Sequence, residues 1–428
     1  MSYPFPILLT DTTRWPGSAR FAVALANAGC TVFGVCPTHH PLLKVRALRQ
    51  AFAYSALRPL ESLTAAMNSV RPVMVIPCDD RAVHHLHELH ARACRQGPSG
   101  RHVADVIENS LGPPESYPIV SGRYELLQAA SEEGVRVAAT NRIRTVDDLA
   151  RWQEGKTDSC VLKADGTGGG YGIRIAHSPA EARTRFQELT RLLRTLRVFK
   201  RLIVNRDPFW LRPWWSRARQ SMVVQAYIQG RPANCAVVCH EGRVLAGIAV
   251  EVMCASGPTE PASIVRVVDH PEMMSAAERI ARRLHLSGFF GLDFIIETET
   301  GAAYLIEMNP RITPQCHLRL GKCRDMVGAL MAQLSEKPVL ETPPVTRSDM
   351  IAYFPQAWSA RNELFESSFH DFPDDEPDLA RELEKPWLDQ TLLARLFNYL
   401  YGDPEQSSQC IFTEPVAPTA KARSCSSL

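Results

Sequence analysis

The first eighty residues alternate between short apolar runs and longer stretches whose apolar positions recur every three or four residues. Pro6 to Thr10 is an apolar run of strand length, Ser18 to Ala28 has a helical period stopped by Gly29, and Thr31 to Val35 is apolar again. The alternation continues with a helix near Glu61 to Ser69, a strand Val73 to Pro77, and a helix from about Arg81 to Ala93 that starts beside Asp79 and Asp80. Strands separated by helices predict parallel pairing through crossover connections. The loop Asp11 to Gly17 lacks the spaced glycines of a dinucleotide fingerprint, so this lobe reads as a scaffold and a substrate wall rather than a cofactor site.

Further along, a helix from Ser121 to about Gly134 is followed by Val135 to Ala138, and Thr145 with Asp148 supplies the cap and third-position groups of another helix. Cys160 to Ala164 reads as a strand, Gly166 to Gly172 as a glycine-rich turn, and Ile173 to Ala176 as a second strand. Ser178, Pro179 and Glu181 then mark a helix start. Met222 to Tyr227 reads as a strand, Ala236 to Glu251 as a long β stretch, Met273 to about Leu284 as a helix, and Gly291 to Met308 as a hairpin. Past Pro338 the pattern fades, and from about Asp403 the Ser- and Pro-rich end reads as a disordered tail.

Two clusters on these elements carry chemistry. Lys163 stands just ahead of Gly166-Thr-Gly-Gly-Gly-Tyr-Gly172, and glycines let backbone N–H groups close on phosphate oxygens while an ammonium neutralises their charge. The order is not that of a Walker A loop, because the lysine precedes the glycines and a strand follows; a plain hairpin loop is the competing reading. The second cluster is Gly291-Leu-Asp293 and Glu307-Met-Asn309-Pro-Arg311. A hairpin folded about Thr300 sets Asp293 opposite Glu307, with Asn309 on the same face by the period-two rule. Facing carboxylates repel unless a cation lies between them, and an oxygen-only set suits magnesium held together with phosphates. The competing reading is an exposed hairpin whose acids face water. Arg311 next to the acids favours phosphoryl chemistry.

With the strand Val223-Val-Gln225-Ala-Tyr-Ile228-Gln-Gly230, these clusters span roughly Ser121 to Arg324 and resemble the ATP-grasp superfamily. The Glu-x-Asn-Pro-Arg ending looks most like the branch of carbamoyl-phosphate synthase large chains and biotin carboxylases. The resemblance implies a mixed α/β and α+β fold: a Rossmann-like lobe over 1–115, an ATP-grasp domain over 116–335 with a lid lobe at about 140–222, and a C-terminal extension over 336–402. It also implies that Arg123 and Lys163 hold the phosphates of ATP under a lid made of Gly166, Thr167, Gly168, Gly169, Gly170 and Gly172. Gln225, with the backbone of Ala226 and Ile228, would read adenine; Asp293, Glu307 and Asn309 would hold Mg2+ or Mn2+; Arg311 would contact the transferred phosphoryl group. The chemistry implied is ATP-dependent ligation, in which a small carboxylate becomes an acyl-phosphate and an amine or similar nucleophile displaces phosphate, with Arg311 and Lys163 assisting. A non-catalytic ATP-binding regulator is the alternative. Arg123 stands where many relatives have lysine, Ala226 where an acid is frequent, and 231–234 lacks the usual ribose carboxylate, so the nucleotide grip is expected to differ.

Composition narrows the partners. At 428 residues, 45% hydrophobic and 22% charged, the chain is of globular type and long enough for several lobes. A net charge of +2 gives no nucleic-acid signature. No apolar run reaches bilayer length and Met1 to Thr10 lacks a secretory pattern, so a cytoplasmic location is expected. The twelve cysteines show no paired spacing, and even the closest set, Cys316, His317 and Cys323, reads as small buried hydrophobes rather than zinc ligands. One segment stands apart: from about Arg191 to Gln220 arginines interleave with Phe199, Phe209, Trp210, Trp214 and Trp215. It packs on the lid, borders a substrate entrance, or makes peripheral contact with anionic lipid.

Overall fold

The computed structural model describes residues 4–154, 159–164, 172–192, 222–255, 261–340, 342–359 and 362–385. The expected Arg/Trp contact segment and the expected tail lie almost wholly outside these. The N-terminal lobe is a parallel sheet in the order β3-β2-β1-β4, formed by β1 (Pro6–Thr10), β2 (Thr31–Cys36), β3 (Leu48–Ala53) and β4 (Met74–Pro77). Helices Gly17–Asn27, Pro59–Val70 and Asp80–Arg95 connect and cover it, as the alternation predicts. The helix Asp80–Arg95 begins where the Asp79 carboxylate accepts from the Ala82 N–H at 2.8 Å, and the same carboxylate takes the Thr12 N–H, the Thr12 hydroxyl and the Thr13 N–H. β3 was not expected; it is a half-exposed edge strand whose apolar residues do not alternate with polar ones.

A second sheet, order β5-β8-β6-β7, falls in the segment expected to form a lid and takes the name lid sheet from it; it joins β5 (Thr140–Ile143), β6 (Cys160–Ala164), β7 (Ile173–Ala176) and β8 (Met222–Ala226). The helix Val146–Gln153 that follows β5 opens on the predicted Thr145–Asp148 capping box, and the Glu181 N–H finds the Ser178 hydroxyl at the start of helix Pro179–Leu192.

The third sheet has seven strands in the order β13-β12-β9-β10-β11-β14-β15. These are β9 (Gly230–His240), β10 (Arg243–Ala255), β11 (Ala262–Val268), β12 (Gly288–Glu297), β13 (Ala303–Asn309), β14 (Met350–Tyr353) and β15 (Phe369–Asp371). The long β stretch of the sequence reading is two strands. His240 pairs with Arg243 across Glu241 and Gly242, both at positive φ, which is the geometry of a two-residue hairpin turn. One face of this sheet packs on helix Pro271–Leu284 through Ala277, Ile280 and Ala281, and the other on the N-terminal lobe through Val238, Ile248 and Phe289 against Phe21 and Leu25. Val135 to Ala138 forms no strand, only a bridge from Val137 to Leu305. Cys235, Cys239 and Cys316 are buried, as expected, whereas Cys323 is exposed. Among the described residues no helix is long and apolar enough to cross a membrane.

The short C-terminal strands lock two lobes together. Asp371 of β15 accepts from Arg20 of the N-terminal lobe and from His317 Nε2 at 2.9 Å, in the turn that follows β13. Burial would raise the Asp371 carboxyl, but His317 and Arg20 outweigh it and hold it below the usual range. Asp371→Ala leaves a largely buried guanidinium and the His317 ring without their carboxylate and is expected to cost about 3 kcal/mol. A fall in the urea midpoint at constant slope checks it, and an unchanged midpoint would remove this strut from the account.

Candidate active site

Three neighbouring strands of the large sheet bring the acids together. Asp293 on β12 is paired with Asn234 of β9 on one side and Glu307 of β13 on the other, and Asn309 donates its Nδ2 to Asp293 at 2.9 Å. The pairing depends on an irregularity. From the turn, the β12–β13 register runs from Ile296 with Ala303 to Phe294 with Leu305; Ile306 is then an extra residue, a β-bulge, and Asp293 meets Glu307. Without the bulge, the next partner of Asp293 would be Ile306, and Glu307 would turn to the opposite face of the sheet. In the folded chain Ile306 serves differently. Its carbonyl accepts from Lys163 Nζ at 3.4 Å, so the lysine of the lid sheet reaches the same corner as the acids.

Cations surround this corner. Arg123, the first residue of helix Arg123–Glu132, donates to Glu307 Oε1 at 2.6 Å. Arg311, just past β13, donates to Asn309 Oδ1 at 3.1 Å and, through Nε, to Asp80 of the N-terminal lobe at 2.9 Å. Close approach is possible because residue 291 is glycine: a Cβ there would lie 2.6 Å from Thr313 Cγ2.

The electrostatics separate the two carboxylates. Burial and then the charge of Glu307 push Asp293 up, against hydrogen bonds from Asn234 and Asn309. Glu307 goes the other way: burial opposes its ionisation, but Arg123 and Lys163 outweigh it and lower its pKa. Burial brings Lys163 down to about 8, with Glu307 and Asp293 partly offsetting the loss and Arg123 adding to it. For Arg311, the contact with Asp80 outweighs burial and keeps the guanidinium firmly charged.

Lys163, Arg123, Asp293, Glu307, Asn309 and Arg311 therefore form one contiguous group. Gly166, Thr167, Gly168, Gly169 and Gly170 lie outside the described residues, and the Gly172 carbonyl accepts from the Ala164 N–H at 2.9 Å. Gln225 is 2% exposed and gives its amide to Thr140, so its side chain is committed within the lid sheet. The Ala226 N–H bonds the Ala139 carbonyl, while among the described residues the Ile228 N–H makes no hydrogen bond. Sequence reasoning passed over two residues beside the group: Asn234, which donates to Asp293, and Gln315, which donates to Asn234. A lone amide in the apolar run Ala233-Asn-Cys-Ala-Val-Val238 was the available signal for the first.

Among the described residues no three His, Cys, Asp or Glu side chains converge to hold a metal. The donor set is two opposed carboxylates and an amide. It fits a hard cation completed by phosphate oxygens, since the mutual repulsion that raises Asp293 is what a bound cation relieves. Asn309 now turns its NH2 toward Asp293 and its oxygen toward Arg311, so ligation through that oxygen requires the amide to turn over.

A family model described as an ATP-grasp domain matches residues 211–315, and the chain has the ATP-grasp fold. N5-carboxyaminoimidazole synthetase of Staphylococcus aureus, complexed with ADP, is similar at TM-score 0.55 and 11% identity over 79% of each chain. The biotin carboxylase domain of the Hydrogenobacter thermophilus 2-oxoglutarate carboxylase, with MgADP and bicarbonate, is similar at TM-score 0.56 and 15% identity, over 80% of this chain and 72% of that one. An L-amino acid ligase of Bacillus licheniformis gives TM-score 0.56 and 12% identity, over 81% and 80%. No curated protein matches the chain by sequence.

Proposed function

We propose that this chain is an ATP- and Mg2+-dependent ligase that converts a small-molecule carboxylate to an acyl-phosphate and passes the acyl group to an amine or similar nucleophile. The observation that carries the reading is the convergence of Asp293, Glu307 and Asn309 with Lys163, Arg123 and Arg311 at one corner between lid and central sheet. The likeness to structures holding ADP, MgADP with bicarbonate, and to an amino acid ligase supports it.

In this reading Lys163 and Arg123 hold the phosphates, and the hinge at Ala226 to Ile228 holds the base. Bound Mg2+ would neutralise phosphate charge between Asp293, Glu307 and Asn309. Arg311 sits where charge grows as the substrate carboxylate forms its bond to the γ-phosphorus and the bond to ADP breaks. Such catalysis is positioning and charge neutralisation, and needs no protein nucleophile. Asp80 meets Arg311, and the neighbouring Asp79 holds Thr12 and Thr13, so this end of the N-terminal lobe would wall the substrate side.

An ADP-release screen of small carboxylates, amino acids and dipeptides, each paired with amines, tests the proposal. At least one pair is expected to raise ADP release well above the ATP-only rate. ATP binding without ADP release under any pair would instead select the regulatory reading.

A further inference from the structure

The amide of Asn234 could face Asp293 with either its NH2 or its oxygen, and only the first helps a carboxylate that must stay ionised. What settles the orientation is Gln315, a 2% exposed side chain in the turn Pro314–His317. Its Nε2 donates to Asn234 Oδ1, which leaves Asn234 Nδ2 to donate to Asp293 Oδ1. A planar amide whose oxygen is already engaged on one side has only its NH2 to offer on the other. Asn309 holds the second oxygen of Asp293, so both carboxylate oxygens are fixed and their remaining lone pairs stay available.

The turn that carries Gln315 is itself held. The Cys316 N–H reaches the Thr313 carbonyl at 3.0 Å, the Leu318 N–H reaches the Gln315 carbonyl at 3.0 Å, and His317 is tied to Asp371. Gln315 thus has a rigid base and touches none of the groups assigned above to phosphate or metal.

We propose that Gln315 is a positioning residue for the divalent cation, acting on Asp293 through the amide of Asn234. The proposal rests on the ligase reading for the cation itself; the amide chain is additional to it. Hydrogen bonds to metal-ligating carboxylates commonly tune affinity by about 10- to 100-fold.

The test is Mn2+ binding to the full chain with saturating ADP, followed by electron paramagnetic resonance, with melting temperature recorded for each variant. Gln315→Glu keeps the shape but cannot donate, so the Asn234 amide turns and puts its oxygen against Asp293; Mn2+ binding should weaken by about 10-fold or more. Gln315→Met removes the donor without adding charge and should weaken binding less, which covers failure of the first variant to fold. Asn234→Ala should weaken it too, and adding Gln315→Met to Asn234→Ala should cause no further loss, because Gln315 acts only through Asn234. Wild-type affinity in Gln315→Met and Gln315→Glu, tighter binding in either, or multiplying losses in the double variant would overturn the proposal while leaving the ligase reading intact. If the wild-type chain binds no Mn2+ with ADP, both fall together.

Discussion

Glu307→Gln is expected to lower ADP release by roughly 100- to 1000-fold or more, the scale on which a preorganised charge-stabilising group counts in catalysis. Three losses coincide. On the proposed reading a ligand of the cation becomes a weaker amide donor, Arg123 loses the carboxylate it contacts at 2.6 Å, and Lys163 loses the first of the charges that keep it protonated. Since Glu307 raises the Lys163 pKa, its removal brings that pKa down further, so part of the defect should recover at lower pH. Steady-state ADP release at saturating Mg2+, measured from pH 6 to 8, checks both parts. Wild-type turnover in this variant would end the assignment of Glu307 to the metal.

Lys163→Met should weaken nucleotide binding and cut ADP release by about 100-fold or more, yet stabilise the fold. The two effects have opposite signs because the ammonium is nearly fully buried, 3% exposed, with a long contact to a carbonyl as its partner in the protein. In the unfolded chain a lysine holds its proton up to about pH 10.4. In the folded chain Lys163 gives it up near 8. Between those values the unfolded state binds more protons, so wild-type stability rises with pH there; below pH 8 the variant should be the more stable. Nucleotide binding runs the other way. Phosphate favours the protonated lysine, so wild-type affinity should hold below pH 8 and fall above it by up to about tenfold per pH unit, while the variant shows no such fall. Parallel melting and nucleotide titrations read out both signs. A pH-independent wild-type affinity across pH 7 to 9 would mean that Lys163 does not touch the phosphates.

Many of the helices and buried strands were legible because their signals are local. The run Pro6-Ile-Leu-Leu-Thr10, the Thr145–Asp148 capping box and the Ser178 cap each state a backbone preference within a few residues, and the structure places elements there. The strands β3, β5, β11, β14 and β15 were not read from the sequence. β3 is half-exposed without an alternating pattern, β5 is polar, and β14 and β15 have four and three residues, so their strand character comes from the neighbours they pair with.

The members of the candidate site were legible in the chain. Lys163, Asp293, Glu307, Asn309 and Arg311 could be named from residue type and spacing, because charge and ligand preference belong to the side chain and alternation to the strand. The facing of Asp293 and Glu307 was reached from a uniform hairpin, but the fold achieves it with a bulge at Ile306, a feature that no local preference announces. Only the tertiary structure decided that this bulge sends a carbonyl to Lys163, that Asp80 meets Arg311, and that Gln315 orients Asn234. Those contacts join residues up to 231 positions apart, and their geometry exists only once the sheets have packed and excluded water. Local sequence sets which groups are available; long-range packing sets which lone pair each one meets.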